Sequence, residues 1–157
     1  MKFALFLGCH IPVRLKQYET SSKAVFERLG VGLVDIEEFN CCGYPLRNIE
    51  FKAFLLASAR NLSLAEKKKL NVMALCQCCY GSLRKANFLL RENASLREEV
   101  NAVLEREGLP YKGEVEVKHL LYVLHQEVGV EAIKKKITKS FKGLRVAAHY
   151  GCHVLRP

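Results

Sequence analysis

Asn71-Val72-Met73-Ala74-Leu75-Cys76-Gln77-Cys78-Cys79 joins an apolar run directly to three cysteines. A short apolar run ending directly at a cysteine reads as a buried strand. Its end delivers several thiols at once. The N-terminus has the same form: Lys2 to Leu7 is a short apolar run, closed by Gly8 and followed at once by Cys9. Between them Val31 to Ile36 is a third such run, leading into a loop over 37–48 that carries Cys41-Cys42-Gly43 and Pro45.

Helical spacing separates these runs. Tyr18, Ser22, Val25, Phe26 and Leu29 share one helix face, and Gly30 stops that helix as a C-terminal cap. Phe51, Phe54, Leu55, Ser58, Leu62 and Ala65 mark a second helix, and residues 82–91 a third. Ser95-Leu96-Arg97-Glu98 has the capping-box form and opens a helix expected to run to Gly108. Further helices are expected over 118–127 and 131–136, and a last strand over 144–148 that leads to Gly151-Cys152.

Strands alternating with helices predict an α/β fold, a mostly parallel sheet with helices on both faces. Right-handed crossovers place the strand C-termini along one edge, where open sheets of this class bind their ligands. Cys9, the Cys41-Cys42 pair, Cys76 and Cys152 all follow strands. Thiols far apart in the chain are thereby expected at one rim.

The opening Gly8-Cys9-His10 is repeated as Gly151-Cys152-His153. This predicts one domain over 1–143 and, over 144–157, the start of a second copy of the same module, cut off. The chain reads as a fragment.

At 157 residues, 50% of them hydrophobic, the chain has the length of one globular domain. A domain of this size buries about 70% of its unfolded surface and needs no disulfides to hold a core. The run Phe3 to Leu7 is too short for a secretory leader, and no stretch approaches a membrane span. A cytoplasmic, reducing setting is expected, with thiols free for metals. The net charge of +9 permits nucleic-acid binding. It is dispersed, however, except for Lys67-Lys68-Lys69 and Lys134-Lys135-Lys136, which suit helix C-termini, so no nucleic-acid partner is expected.

Six of the seven cysteines fall into three blocks. One zinc takes four ligands and would leave some of these thiols idle. Adjacent cysteines suit two metals or two irons of one cluster, and grouped C-x-x-C spacing is common in iron–sulfur proteins. A redox disulfide between Cys76 and Cys79 is the third reading, but it leaves Cys9, Cys41 and Cys42 without a purpose. His10 and His153 adjoin cysteines and are candidate ligands or proton donors; His119, His125 and His149 read as ordinary helix or strand residues. Arg14, Lys16, Arg47, Arg84 and Lys85 lie near the cysteine blocks, as candidate anchors for an anionic substrate or simply as solvated charges.

The blocks Cys9, Cys41-Cys42-Gly43 and Cys76-x-x-Cys79 resemble the cysteine-rich CCG domain. Phe6-Leu7-Gly8-Cys9-His10-Ile11-Pro12, Asn40-Cys41-Cys42-Gly43, Cys76-Gln77-Cys78-Cys79-Tyr80-Gly81-Ser82-Leu83, Ala86-Asn87 and His149-Tyr150-Gly151-Cys152-His153 are similar to the B subunits of coenzyme B–coenzyme M heterodisulfide reductases. The resemblance implies a Rossmann-like domain and a noncubane [4Fe-4S] cluster, with Cys9, Cys41, Cys42, Cys76 and Cys79 as ligands. Cys152 would open a second cluster motif, and Cys78, which stands where the family usually has a small non-cysteine residue, would be an alternative metal ligand or a spare thiol. The implied activity is reduction of the CoM-S-S-CoB disulfide to two thiols in archaeal methanogenesis. The implied partners are a ferredoxin-like subunit that supplies electrons and a second, flavin-containing subunit. Other CCG domains serve succinate, lactate or glycolate oxidoreductases, and some hold zinc as a structural or docking module. Because exposed clusters and low-pKa thiols oxidise, a cluster is expected to be lost readily in air.

Overall fold

A computed structural model describes residues 1–149, and the chain forms a four-stranded, all-parallel sheet with helices on both faces. The elements are β1 (Lys2–Phe6), α1 (Ile11–Arg14), α2 (Lys16–Arg28), β2 (Gly32–Asp35), α3 (Phe51–Lys67), β3 (Asn71–Ala74), α4 (Gln77–Glu92), α5 (Ala94–Leu104), β4 (Val117–His119), α6 (Leu120–Tyr122) and α7 (Val130–Lys134). The strands lie in the order β2-β1-β3-β4.

Side chains alternate across the sheet, as a period of two requires. Phe3, Leu5, Met73 and Leu75 point to one face, where Phe26 of α2 and Val123 pack on them. Ala4, Phe6, Val72 and Ala74 point to the other, under Phe54, Leu62, Leu83 and Leu90 of α3 and α4. Each such fully buried Leu or Phe contributes roughly 1.5–3 kcal/mol.

The crossover from β1 to β2 therefore runs over one face, and those from β2 to β3 and from β3 to β4 over the other. The change of face falls between β1 and β3, which are neighbours with Phe6 opposite Ala74. Loops leaving the C-terminal ends of these two strands diverge, the position at which open α/β sheets bind their ligands.

Residues 105–116 are held down before the chain enters β4. The Glu66 carboxylate accepts from the backbone N–H groups of Lys112 and Glu114 at 2.8 and 2.7 Å. Asn101 exchanges two hydrogen bonds with the backbone of buried Tyr111. These contacts fix where β4 joins the sheet.

Four expectations change. The fourth strand is Val117–His119, inside the segment expected to be helical from residue 118. Three residues are too few for a period of two to show against a helical pattern, and pairing of Val117 with Val72 decides the conformation. Residues 144–148 form no strand; Leu144 and Val146 are exposed, and the segment pairs with neither edge strand, β2 or β4. Without a neighbour, a strand leaves its backbone donors and acceptors unpaired. α5 is capped by Asn93, whose side chain accepts from Leu96 N–H at 3.0 Å, and Ser95 lies inside the first turn. The helix expected from residue 82 starts at Gln77, which places Cys78 and Cys79 in its first turn. Cys152, His153 and the rest of the expected second module from residue 150 onward lie outside the described residues.

Candidate functional site

Three loops meet beyond the C-terminal ends of β1, β2 and β3. The first leaves β1 through Gly8, at φ +69°, and presents Cys9, which is exposed. The second follows β2 and turns through Cys41-Cys42-Gly43. Gly43 adopts φ +78°, and a Cβ there would stand 3.1 Å from the Phe54 carbonyl oxygen and 3.2 Å from Ala57. Only glycine fits both the backbone and the space. The third is the junction of β3 and α4, with Cys76 at the helix N-cap and Cys79 buried in the first turn.

Helix α3 fixes the second loop by its side chains. Ser58 donates to the Cys42 carbonyl at 2.7 Å. Asn61 donates to the Cys41 carbonyl at 3.2 Å and to Asn40 Oδ1 at 2.9 Å, and its own oxygen accepts from Asn40 N–H at 2.9 Å. Both residues are fully buried. A buried polar group without such partners costs about 1–3 kcal/mol, so the pairing ties the double cysteine to one position on the helix.

The sulfurs approach one another in sequence-distant pairs. Cys41 Sγ lies 3.9 Å from Cys9 Sγ. Cys79 sits between Cys42 and Cys76 and donates toward both sulfurs, which makes it the last of the three to ionise. That donation is the largest influence on Cys76, drawing it down to about 5, with further help from the backbone N–H groups of Cys79 and Cys78 at the start of α4. Cys42 is drawn down to about 6 by the same donor, against the opposing effect of burial. Burial raises Cys79 further, and burial also raises Cys41. Donation from the Cys79 thiol thus favours the thiolate form at Cys42 and Cys76 and the protonated form at Cys79 itself.

The thiols of Cys9, Cys41, Cys42, Cys76 and Cys79 lie near one another. Their arrangement is a chain of contacts. Among the described residues, no three or more His, Cys, Asp or Glu side chains surround a point suited to a single metal ion. Cys78, half-buried on the first turn of α4, borders the group beside Cys76. His10 is exposed next to Cys9.

The basic candidates divide. Arg14 and Lys16 are exposed on the segment after Cys9, and Arg47 is half-buried after the double cysteine. Arg84 turns elsewhere: its guanidinium pairs with the Tyr80 hydroxyl and lies 5.7 Å from that ring's centre. With Arg91, Lys118 and Tyr122 it lines a separate cleft of about 340 Å³ beside β4.

Several residues escaped sequence reasoning. Ser58 and Asn61 were legible only as polar interruptions of an otherwise apolar helix face. His119, read as an ordinary residue, is buried at the end of β4, where its Nδ1 accepts from Leu121 N–H at 3.3 Å. Its ring packs edge-on against Tyr80, with centres 5.6 Å apart. Burial lowers its pKa, with a smaller opposing effect from the Leu75 carbonyl.

A parallel α/β sheet that gathers thiols from three loops at its switch point defines a cysteine-rich domain. The chain belongs to the CCG family, described as a cysteine-rich domain, whose model matches residues 3–84. It is 35% identical over 158 residues to the B subunit of the ferredoxin/F420H2-dependent CoB-CoM heterodisulfide reductase of Methanosarcina acetivorans, an alignment covering 99% of this chain and 52% of that protein. It is 38% identical over 157 residues to the 8-methylmenaquinol:fumarate reductase membrane anchor subunit of Wolinella succinogenes, covering 99% of this chain and 54% of that one. The chain thus spans about half the length of these curated relatives. A crystal structure of a hypothetical protein from Helicobacter pylori matches with TM-score 0.66 at 26% identity, over 76% of this chain and 24% of that one. No helix among the described residues is long and apolar enough to cross a membrane.

Proposed function

We propose that this chain is a cluster-binding domain of a multi-subunit oxidoreductase, holding a noncubane [4Fe-4S] cluster through Cys9, Cys41, Cys42, Cys76 and Cys79. One observation carries the reading: Cys79 stands between Cys42 and Cys76, so the inner thiols of two separate loops share a pocket. The donor set fits the group. Thiolate is the ligating form, two of the inner sulfurs already favour it, and five cysteines are one more than a lone zinc takes as ligands. An iron–sulfur cluster in this place supplies one-electron transfer and an iron–sulfur surface for a sulfur substrate.

The protein's own residues would do the rest. Ser58 and Asn61 hold the double cysteine in place. The N-terminal turn of α4 stabilises negative charge on Cys76, and the apolar residues around Phe6 and Phe54 keep water from the inner face. Cys78 would border the ligand set, and Cys152 would be the first ligand of a second site in a longer assembly.

Resemblance to the B subunits of heterodisulfide reductases makes the CoM-S-S-CoB disulfide the proposed substrate. A ferredoxin-like subunit would donate the electrons, a flavin-containing subunit would complete the complex, and the cytoplasm would be the setting. The 38% identity to a fumarate reductase subunit favours a second reading, in which the same site passes electrons within a different reductase.

Anaerobic purification followed by iron and sulfide analysis tests the cofactor. The expected result is a brown protein with about four irons per chain. A colourless protein with one zinc per chain would overturn it. Assay of the loaded chain with heterodisulfide and an artificial donor then bears on the substrate. With one cluster alone, no turnover is expected; restored turnover with a second CCG domain supports the heterodisulfide reading.

A further inference from the structure

We propose that the hydroxyl of Ser82 is a hydrogen-bond donor to the sulfur of Cys42, and through it a positioning residue that tunes the metal centre. This inference rests on the cluster-binding reading above and adds to it a residue outside the ligand set.

Ser82 lies on α4, one turn after Cys79, so the two side chains share a helix face. It is fully buried, and its Oγ is bonded to no carbonyl or other oxygen or nitrogen acceptor; the group beside it is the Cys42 sulfur, whose thiolate it favours. Two other buried serines behave differently. Ser63 donates back to the Ala59 carbonyl at 2.9 Å, and Ser58 donates to the Cys42 carbonyl at 2.7 Å. A serine within a helix has the first option open to it, through the carbonyl four residues back. Ser82 does not take it.

A buried hydroxyl that forgoes its local acceptor loses hydration without return. The polar group it faces is the Cys42 sulfur, itself 2% exposed and beside Cys79. A thiolate in that position accepts from a hydroxyl readily. Its demand for a donor remains once it ligates metal, whereas the proton on Cys79 must leave for Cys79 to ligate. With the Cys79 donor removed by metal binding, Ser82 becomes the side-chain donor left to the Cys42 sulfur on this face of α4. Hydrogen bonds to cluster sulfurs raise the reduction potential, because they stabilise the more negative, reduced state.

Ser82→Ala and Ser82→Thr in the cluster-loaded chain test this. Ser82→Ala is expected to keep its iron content and shift the midpoint potential to more negative values; Ser82→Thr, which retains the donor, restores it. A merely structural role would move the melting temperature and leave the potential in place. An unchanged potential in loaded Ser82→Ala therefore overturns the proposal. A second measurement does not depend on loading or on the variants folding. A crystal structure of the native chain, metal-free or cadmium-substituted, is expected to place Ser82 Oγ about 3.5 Å from Cys42 Sγ, within hydrogen-bond reach of a sulfur. Ser82 turned to the Cys78 carbonyl instead overturns the proposal. If no iron binds under any condition, the cluster reading falls, and the Ser82 contact is still decided by that structure.

Discussion

A Cβ on Gly8 would lie 2.6 Å from Cys79 Sγ, a separation that packed atoms do not tolerate. Gly8 follows β1 and Cys79 follows β3, so this contact is where two neighbouring strands bring their loops together. The inner thiol occupies space that any other residue at position 8 would fill.

Gly8→Ala should therefore be costly twice. Its backbone sits at φ +69°, where a non-glycine residue costs about 1–2 kcal/mol, and its methyl displaces the Cys79 sulfur. The expected outcome is a folded chain, lower in melting temperature, that retains much less iron than the parent after anaerobic gel filtration. Full metal content in this variant would show that Cys79 does not need its present position.

Asn61 joins α3 to both Asn40 and Cys41. Asn61→Leu fills a similar volume but leaves the Cys41 carbonyl and the Asn40 groups without their partner. Loss of about 2–4 kcal/mol is expected in denaturant titration, given the cost of each unsatisfied buried group. A change below about 0.5 kcal/mol, the level of an ordinary surface substitution, would mean that the loop is held by other contacts.

Thiol reactivity in the metal-free chain should follow the charge pattern. Cys76, drawn down to about 5 and half-exposed, is thiolate at neutral pH and should be alkylated first. Cys79 is buried and holds its proton, so it should react last. Mass spectrometry after brief iodoacetamide treatment at pH 7 reads the order. Equal labelling of the two would contradict this difference in protonation. The Cys76 rate should fall as pH drops through about 5.

His119 gives a pH dependence of stability with a definite sign. Burial lowers its folded pKa below the ordinary 6.5, so the unfolded chain takes up the proton first as pH falls. The neutral ring's contribution is complete above 6.5 and is lost as pH falls through the lower folded value. His119→Asn keeps a cap acceptor for Leu121 N–H and removes the titration. Urea denaturation across this range should show a shallower loss of stability in the variant. Parallel profiles would assign the acid sensitivity to the thiolates, whose lowered pKa values act in the same direction.

Much of the domain could be read from local patterns. Apolar runs ending in cysteine at Cys9 and Cys76, and helical spacing between them, were enough for a parallel α/β sheet with thiols at one rim. The reason is that strand direction and crossover handedness are nearly fixed by chain chirality. Segments with weak local signals went astray. Val117–His119 is a strand because β3 offers an edge, and residues 144–148 find no such edge among the described residues. The start of α4 moved forward to Gln77 because the turn after β3 closes at once, with Tyr80 N–H bonded to the Cys76 carbonyl at 2.9 Å.

The order of residues is enough to establish which chemistry is present: six thiols in three blocks, a sheet to carry them, and glycines beside two of them. Which thiols meet depends on the folded chain. Sulfur positions depend on how adjacent strands set their loops and on which buried side chain grips each turn, and those contacts join residues far apart in the chain. Hence the partnership of Gly8 with Cys79, the hold of Asn61 on Cys41, and the buried Ser82 hydroxyl beside Cys42 have no signature in the order of residues.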